Sequence, residues 1–301
     1  MVIIIMARDK KLEFGALNVT IHPHTPEKYL QLFNAAKTLK SSARLRSDQF
    51  GRIGAIYKLD RNQEEPGPIV GEIVKFTNID VDGEWYDIES KDVAKDEDIA
   101  EINIPEKLKP NLSRFSFIFF PDEHLLVYEG YYDGKALSAN FAEKLFELTL
   151  NHPDLTNRFG QVFVSHIPEA NAIDKMLDLK GVTNLTLVTK RPNPDNLKVT
   201  EKRVHDRLRR LNAAQEERVI KAANGQELQL DQELKLEAKV AAKNGTVELK
   251  RYNEAGKKEE LSTKDHPMRR TDYYNPKSES AFEVLRDMAF TLKKEISAWI
   301  K

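Results

Sequence analysis

The feature that most constrains the fold of this chain is an aromatic hairpin near its middle. Residues 115–120 read Phe-Ser-Phe-Ile-Phe-Phe, and they are followed by a turn at 121–124 and a second strand-like run at 125–131. Aromatic and branched residues on either side of a turn predict two paired strands. Because nearly every residue of the first run is apolar, we expect it at a central position in a sheet.

Strand and helix patterns alternate along the rest of the chain. Further strands are predicted at residues 12–21, 53–59, 69–77, 162–167 and 182–190, and a hairpin at 247–262. Helices are predicted after the N-cap Thr25 and at residues 141–150, 170–179, 231–243 and 278–300. This mixture predicts an α+β fold: a mixed or antiparallel sheet with flanking helices, followed by a helical C-terminal part that contains one β-hairpin. We divide the chain into a sheet domain, residues 1–190, and a second part, residues 191–301.

A basic helix follows the strand that ends at Lys190. From about Val199 the apolar spacing predicts a helix with a narrow apolar stripe. Beside that stripe, three arginines recur at helical spacing: Arg203, Arg207 and Arg210. Such a row can present guanidinium groups to the phosphates of nucleic acid, and Lys190 and Arg191 would add contacts from the entry loop. The alternative is a solvated helix whose arginines form intrahelical ion pairs, for example Arg210 with Glu201 or Asp206.

Other charges are segregated along a chain whose net charge is only −1. Residues 37–61 carry seven basic and two acidic side chains, whereas residues 78–106 carry eleven acidic side chains and two lysines. In the first block, Arg44, Arg46 and Arg52 are predicted to contact phosphates. The acidic block is predicted to be loop-rich, and we hypothesise that it lies over the basic surface when nucleic acid is absent.

The last predicted helix carries a regular apolar seam. Its members recur at alternating intervals of three and four residues: Phe282, Leu285, Ala289, Leu292, Ile296 and Trp299. Such a seam either packs into the core of its own chain or meets a second copy of itself. We predict homodimerisation through Phe282, Leu285, Leu292, Ile296 and Trp299.

None of the common catalytic motifs occurs in the sequence. It has no phosphate-binding glycine loop, dinucleotide fingerprint, metalloprotease helix or nucleophile elbow. The absence of cysteine excludes disulfides and thiolate chemistry. Two short patterns remain: His22 and His24 as metal ligands, and Asp122, Asp133 and Lys135 as the Mg²⁺ site of a nuclease. We expect no cofactor and no bound metal, and keep the nuclease as an alternative.

Three features predict a cytoplasmic protein that does not insert into a membrane. The apolar run within the first six residues is too short for the core of a signal peptide. No apolar run approaches the roughly 20 residues of a membrane span. The lack of cysteine fits a reducing compartment.

Four short runs resemble an uncharacterised bacterial family of about this length: residues 76–80, 103–110, 190–195 and 261–267. That resemblance covers nearly the whole chain and brings no assigned activity. The order of elements in the second half is similar to that of the family of RexA, the phage-exclusion protein made by a lambda lysogen. The shared order is an aromatic strand, a hairpin, a helix, a strand, a basic helix, a hairpin and an amphipathic helix. The turn at 254–256 and the pair Leu261-Ser262 also look alike.

The RexA resemblance implies a non-enzymatic homodimer that binds DNA with little sequence preference and acts in abortive phage defence with a membrane-protein partner. Together with the basic residues, it predicts a sequence-nonspecific nucleic-acid-binding protein, with DNA favoured, that is a homodimeric sensor or regulator of bacterial antiphage defence. Two alternatives stay open. One is a metal-dependent nuclease, and the other is a protein-binding adaptor that does not contact nucleic acid.

Overall fold

The computed structural model describes residues 9–60, 67–81, 83–192 and 199–298. They form an α+β fold in which the strands of both main sheets pair antiparallel and helices cover the sheets. The predicted fold class is therefore confirmed. Of the residues singled out from the sequence, Trp299 lies outside the described ranges. No helix in the described ranges is long and apolar enough to cross a membrane.

The elements are numbered in chain order. The first half contains β1 (Lys10–Ile21), α1 (Pro26–Lys37), β2 (Ala43–Arg46), β3 (Gln49–Lys58), β4 (Ile69–Thr77), β5 (Tyr86–Asp87), β6 (Asp92–Val93), α2 (Asp96–Ala100), β7 (Ser113–Phe120), β8 (Leu125–Tyr132), β9 (Lys135–Ala136) and α3 (Ala139–Leu150). The second half contains α4 (Pro153–Phe159), β10 (Val162–His166), α5 (Ala170–Leu177), β11 (Val182–Lys190), α6 (Val199–Arg210), β12 (Gln215–Lys221), α7 (Gln232–Asn244), β13 (Gly245–Tyr252), β14 (Lys258–Ser262), β15 (Arg269–Tyr274) and α8 (Ala281–Ala298).

The larger sheet has the strand order β10-β1-β8-β7-β4-β3-β2. Strand β1 is long enough to pair with two partners along one edge, with β15 through its first half and with β10 through its second half. The aromatic strand β7 lies between β8 and β4, and its hairpin partner β8 pairs in the register Phe120 opposite Leu125. The prediction of a central aromatic hairpin is confirmed.

Strand β7 carries apolar side chains on both faces of this sheet. Both faces are therefore covered by helices. Phe115, Phe117 and Phe119 point to the face on which α1, α3 and α4 pack. Ile118 and Phe120 point to the opposite face, on which α8 packs. The result is a helix-sheet-helix sandwich with a core on each side of the strands.

Helix α8 supplies one of these cores, and this corrects the predicted role of its seam. Leu285 and Leu292 are fully buried, Ile296 is nearly so, and all three pack against the sheet of their own chain. Phe282 lies partly buried at the margin of the same cluster. The seam covers the apolar face of β7 and β8 that carries Ile118 and Phe120. It is therefore buried within its own chain and is not available to a second copy.

The smaller sheet has the order β12-β11-β13-β14. Helices α5 and α7 pack on one of its faces, and α6 packs against α7 through Val204, Leu208 and Val240. Helix α7 ends where β13 begins, at Gly245, whose φ of 174° is extended rather than left-handed. Glycine is needed there because a Cβ would lie 2.2 Å from the carbonyl oxygen of Val188 on β11. Glycine at this position therefore allows a close backbone approach and is not a left-handed helix cap.

The two sheets do not divide the chain at residue 190 as predicted. Strand β11 is one of the two inner strands of the smaller sheet, although it precedes the predicted boundary. Strand β15 and helix α8 follow that boundary and return to the larger sheet. The elements from α5 to β14 therefore form an insertion between two parts of one sheet-based core.

Candidate functional site

The predicted basic residues lie at opposite ends of the larger sheet. Arg44 and Arg46 lie on β2, at the end where β4 stops and β7 starts. Arg191 lies near the other end, where β1 stops and His22 follows. Strand β1 alone has 12 residues, which corresponds to a length of about 40 Å. The structure therefore does not bring the two basic blocks into one surface.

The three arginines singled out in the first basic block lie on the hairpin formed by β2 and β3. Arg44 Nε donates to the carbonyl of Ser47 across the turn from β2 to β3, at 2.7 Å. The guanidinium of Arg52 donates to the carbonyl of Leu39 beyond helix α1. Arg46 is exposed. Of the three arginines, Arg44 and Arg52 thus have hydrogen bonds to backbone carbonyls of their own chain.

The acidic block starts at the same end of the sheet as this hairpin. A groove of ≈ 800 Å³ is lined by Arg44 together with residues of the block's two ends, among them Asp80 and Glu106. Because α6 lies near the opposite end of the sheet, the part of the basic surface that the acidic block adjoins is the first basic block and not α6.

Two of the three predicted arginines on α6 are held in ion pairs with later segments. Arg203 pairs with Glu233 on α7 at 2.7 Å. Arg207 donates from Nε and Nη2 to the two carboxylate oxygens of Glu216 on β12, and this hydrogen bonding raises the pKa of Arg207. Arg210 is exposed and forms no ion pair with a described residue. The row predicted to face phosphates therefore has one member without a protein partner in the described part of the chain.

Lys190 has a structural role. Its Nζ donates to the carbonyl of Val164 on β10 at 2.6 Å, which ties the smaller sheet to the larger one. Burial lowers the pKa of Lys190, and the carboxylates of Glu143 and Glu147 partly oppose that effect. An ammonium group held in this way is withdrawn from solvent, so its predicted contact with phosphate is not supported by its position.

A concave, cationic site appears where α6 meets the end of β1. This cleft has a volume of ≈ 590 Å³. Its lining residues come from three segments of the chain: His22, Pro23, His24, Thr25, Pro26, Arg191, His205 and Arg209. None of these described lining residues is acidic. We call this site the cationic cleft.

Local chemistry fixes the first wall of the cationic cleft. As predicted, Thr25 caps helix α1 by accepting from the Lys28 amide at 3.1 Å, and Pro26 occupies the first turn of the helix. His22 Nε2 donates to the carbonyl of Arg191 at 3.0 Å. This bond joins the turn after β1 to the segment that leaves β11, so Arg191 is held against the start of α1.

The second wall is α6, which a buried polar network holds in place. Glu201 is 3% exposed and accepts from Lys243 at 3.1 Å and from Asn244 Nδ2 at 3.0 Å. Asn244 Oδ1 in turn accepts from Asn18 of β1 at 3.2 Å. Each of these polar side chains has a hydrogen-bond partner, as a buried polar group requires. The network therefore fixes the face of α6 that carries His205 and Arg209 relative to β1.

The electrostatics of the cationic cleft favour an anion. Burial and, to a smaller extent, the charge of Arg191 and the neighbouring His24 and His205 lower the pKa of His22 to about 4, although its hydrogen bond to the Arg191 carbonyl opposes the shift. His22 is therefore neutral at pH 7, and the permanent charge in the cleft belongs to Arg191 and Arg209. The Nε of Arg191 is buried and has no hydrogen-bond partner among the described residues. A phosphate or carboxylate group matches such donors.

The metal-based alternatives are not assembled in this structure. In the described ranges, no group of three or more His, Asp or Glu side chains is placed to hold a metal ion. Asp122 precedes β8 and Asp133 follows it, so the eight-residue strand separates them by roughly 25 Å. Asp133 also pairs with Lys10 at 2.9 Å. The predicted nuclease site formed by Asp122, Asp133 and Lys135 therefore does not exist as a single site.

Sequence reasoning found one side of the cationic cleft and missed the other. Arg191 was identified as a basic residue beside the helix, whereas His205 and Arg209 were not singled out. Their spacing of four residues places them on one face of a helix, and this spacing could have identified them as a pair from the sequence. His22 and His24 were noted only as metal ligands, because nothing in the sequence says that the β1 turn meets α6.

Comparison with known proteins gives a family but no activity. A family model described as a domain of unknown function, DUF4747, matches residues 10–289. A search of curated proteins finds no match.

Proposed function

The chain belongs to the DUF4747 family, and we propose that it binds nucleic acid through the phosphate backbone, without sequence preference and with DNA favoured. The observation that carries this proposal is the cationic cleft. It places two guanidinium groups, those of Arg191 and Arg209, in a concavity whose described lining contains no carboxylate. Arginine forks bind phosphate oxygens in pairs, and contacts of this kind supply sequence-independent affinity.

The solvent-facing side of α6 extends this positive surface beyond the cleft. Lys202, Arg209 and Arg210 are exposed. Arg209 has one acidic neighbour, Asp206, at 3.4 Å on the same helix. Exposed pairs of this kind contribute little free energy, so phosphate can displace them. Arg207, by contrast, is held by the partly buried carboxylate of Glu216 and contributes less to the proposal than its spacing predicted. The pair of Arg203 with Glu233 is exposed, so phosphate can displace it as well.

The resemblance to the RexA family supports a role for this binding in bacterial antiphage defence. In that role the protein is a cytoplasmic sensor or regulator, acts as a homodimer, and works with a membrane-protein partner. Since the seam of α8 lies in the core, a homodimer must use another surface. Cells that express the chain should resist phage infection in a plaque assay, and a variant with a disabled cationic cleft should not protect them.

Salt-dependent binding tests the nucleic-acid proposal directly. In gel-shift titrations with double-stranded DNA, the logarithm of the affinity should fall with the logarithm of the salt concentration, with a slope of about −0.9 per neutralised phosphate. Replacing Arg191 and Arg209 together by glutamine should lower the affinity about tenfold, because two charged hydrogen-bonding groups are lost. The same variant should make the slope shallower by about two phosphate equivalents.

A matched control is Arg286→Gln on α8. Arg286 is exposed and pairs with its neighbour Asp287, and α8 packs on the sheet face opposite α1. This substitution should leave both affinity and slope at the wild-type values. If no DNA binds even at low salt, or if the two substitutions in the cleft change nothing, the proposal fails. Binding that requires a protein partner and ignores DNA would then favour the adaptor alternative.

A further inference from the structure

We propose that the cationic cleft is a site for a terminal phosphate group, either that of a free nucleotide or that at the phosphorylated end of a nucleic-acid strand. This inference rests on the proposed function and adds a ligand to one part of the basic surface. It distinguishes the cleft from the open side of α6, which would contact phosphates within a strand.

The shape of the site is the first reason. At ≈ 590 Å³, the cleft falls within the range of about 300 to 1,000 Å³ that is usual for small-molecule sites. Phosphates within a duplex lie along a convex ridge and are flanked by sugars on both sides. A terminal phosphate projects from one sugar only and can enter a concavity. The rings of Pro23 and Pro26 line the same cleft and offer apolar surface to a sugar or base.

Charge is the second reason. A phosphate monoester carries about −1.5 to −2 charges at pH 7, whereas each phosphate within a strand carries a single charge. Two guanidinium groups in one cleft match the monoester better than the diester. Arg191 is held in position because its carbonyl accepts from His22 and its amide donates to the carbonyl of Ala214 at 2.8 Å.

The hydrogen-bond donors around the cleft are the third reason. The Nε of Arg191 is buried without a hydrogen-bond partner among the described residues, which is costly unless a ligand accepts from it. Arg209 reaches the cleft from α6 with its side chain largely exposed. His24 and His205 line the cleft as well, and Nδ1 of His205 lies 3.3 Å from Oδ1 of Asp206. A monoester phosphate has enough oxygens to accept from both arginines at once.

Binding measurements with and without a terminal phosphate test this inference. The probes are deoxyadenosine monophosphate and deoxyadenosine, and short duplexes that carry a phosphate at the 5′ end, at the 3′ end or at neither end. Calorimetry or fluorescence anisotropy should show at least about tenfold tighter binding of a phosphorylated probe than of its unphosphorylated match. A preference seen only with the mononucleotide identifies a free nucleotide as the ligand, and one seen with a duplex identifies the strand end.

Two variants show whether the preference comes from the cleft. Arg209→Gln, at an exposed position that folding does not require, should reduce the preference, and the double change of Arg191 and Arg209 to glutamine should abolish it. Arg210→Gln is the matched control, because Arg210 is exposed on the same helix but does not line the cleft. It should weaken binding of every duplex slightly and leave the preference intact.

The inference and the proposed function fail in different ways. If duplexes bind with the expected salt dependence but phosphorylated and unphosphorylated probes bind equally, the terminal-phosphate site is wrong and the nucleic-acid proposal stands. A preference that survives in the double variant also overturns the assignment to this cleft. If no duplex binds while the mononucleotide binds with the expected preference, the nucleic-acid proposal fails and the cleft is a nucleotide site.

Discussion

Replacing Leu292 by alanine is expected to lower the free energy of unfolding by about 2 to 5 kcal/mol. Leu292 is fully buried in the core between α8 and the larger sheet. Its truncation removes apolar contacts and leaves a cavity that the packed strands β7 and β8 cannot collapse to fill. Urea unfolding followed by circular dichroism measures the effect as a shift in the midpoint with an unchanged slope.

The matched control for this substitution is Leu148→Ala on α3. Leu148 is 44% exposed, so the same chemical change there should cost well under half as much. The Leu292 experiment also distinguishes a core seam from a dimer seam, since a core effect does not depend on protein concentration. Near-wild-type stability together with an altered sedimentation coefficient would show that α8 mediates self-association and that its position in the core is wrong.

Replacing Glu129 by glutamine is expected to raise the free energy of unfolding by up to about 3 kcal/mol above pH 7. Glu129 is 2% exposed on β8. Burial raises the pKa of its carboxyl group from 4.5 to about 7, although the Ser116 amide donates to it at 2.6 Å. Because the folded state binds this proton more tightly than the unfolded state, wild-type stability should fall as the pH rises from about 4.5 to about 7 and then stay level with respect to this group.

Glutamine cannot ionise, so the variant should lack that part of the pH dependence. Its advantage over the wild type should be greatest above pH 7 and should vanish toward pH 4.5. Unfolding curves at several pH values between these limits measure the difference. Glu248→Gln, on an exposed position of β13, is the control and should follow the wild-type curve. Parallel curves for wild type and Glu129→Gln would show that Glu129 is not buried as the structure places it.

Edge strands account for much of what sequence reasoning missed. Strand β12 reads Gln-Glu-Glu-Arg-Val-Ile-Lys and is largely exposed on both faces, so it has no apolar alternation to detect. Strand β15 is also mostly polar, and its pairing with β1 places it. Such strands are held by backbone hydrogen bonds to a neighbour, and backbone bonding leaves no signature in side-chain periodicity.

Ion pairs between α6 and other segments show the same limit for the site. The spacing of Arg203, Arg207 and Arg210 was read correctly as a row on one helix. Whether each arginine faces solvent or a carboxylate depends on residues from β12 and α7, which the sequence does not place beside α6. The cationic cleft likewise combines residues 22–26, 191, 205 and 209, so it exists only once β1, β11 and α6 have been brought together.

The sequence by itself determined the features that depend on near neighbours along the chain. These include the N-cap Thr25 and Pro26 at the start of α1, the aromatic hairpin at the centre of the larger sheet, and the α+β fold class. Local backbone preferences and side-chain periodicity encode them directly. Only the tertiary structure decided that the seam of α8 is core, that Lys190 is a structural lysine, and that Arg191 and Arg209 share a cleft. Each of these depends on which distant segments pack together, and that choice minimises the free energy of the whole chain rather than of any one segment.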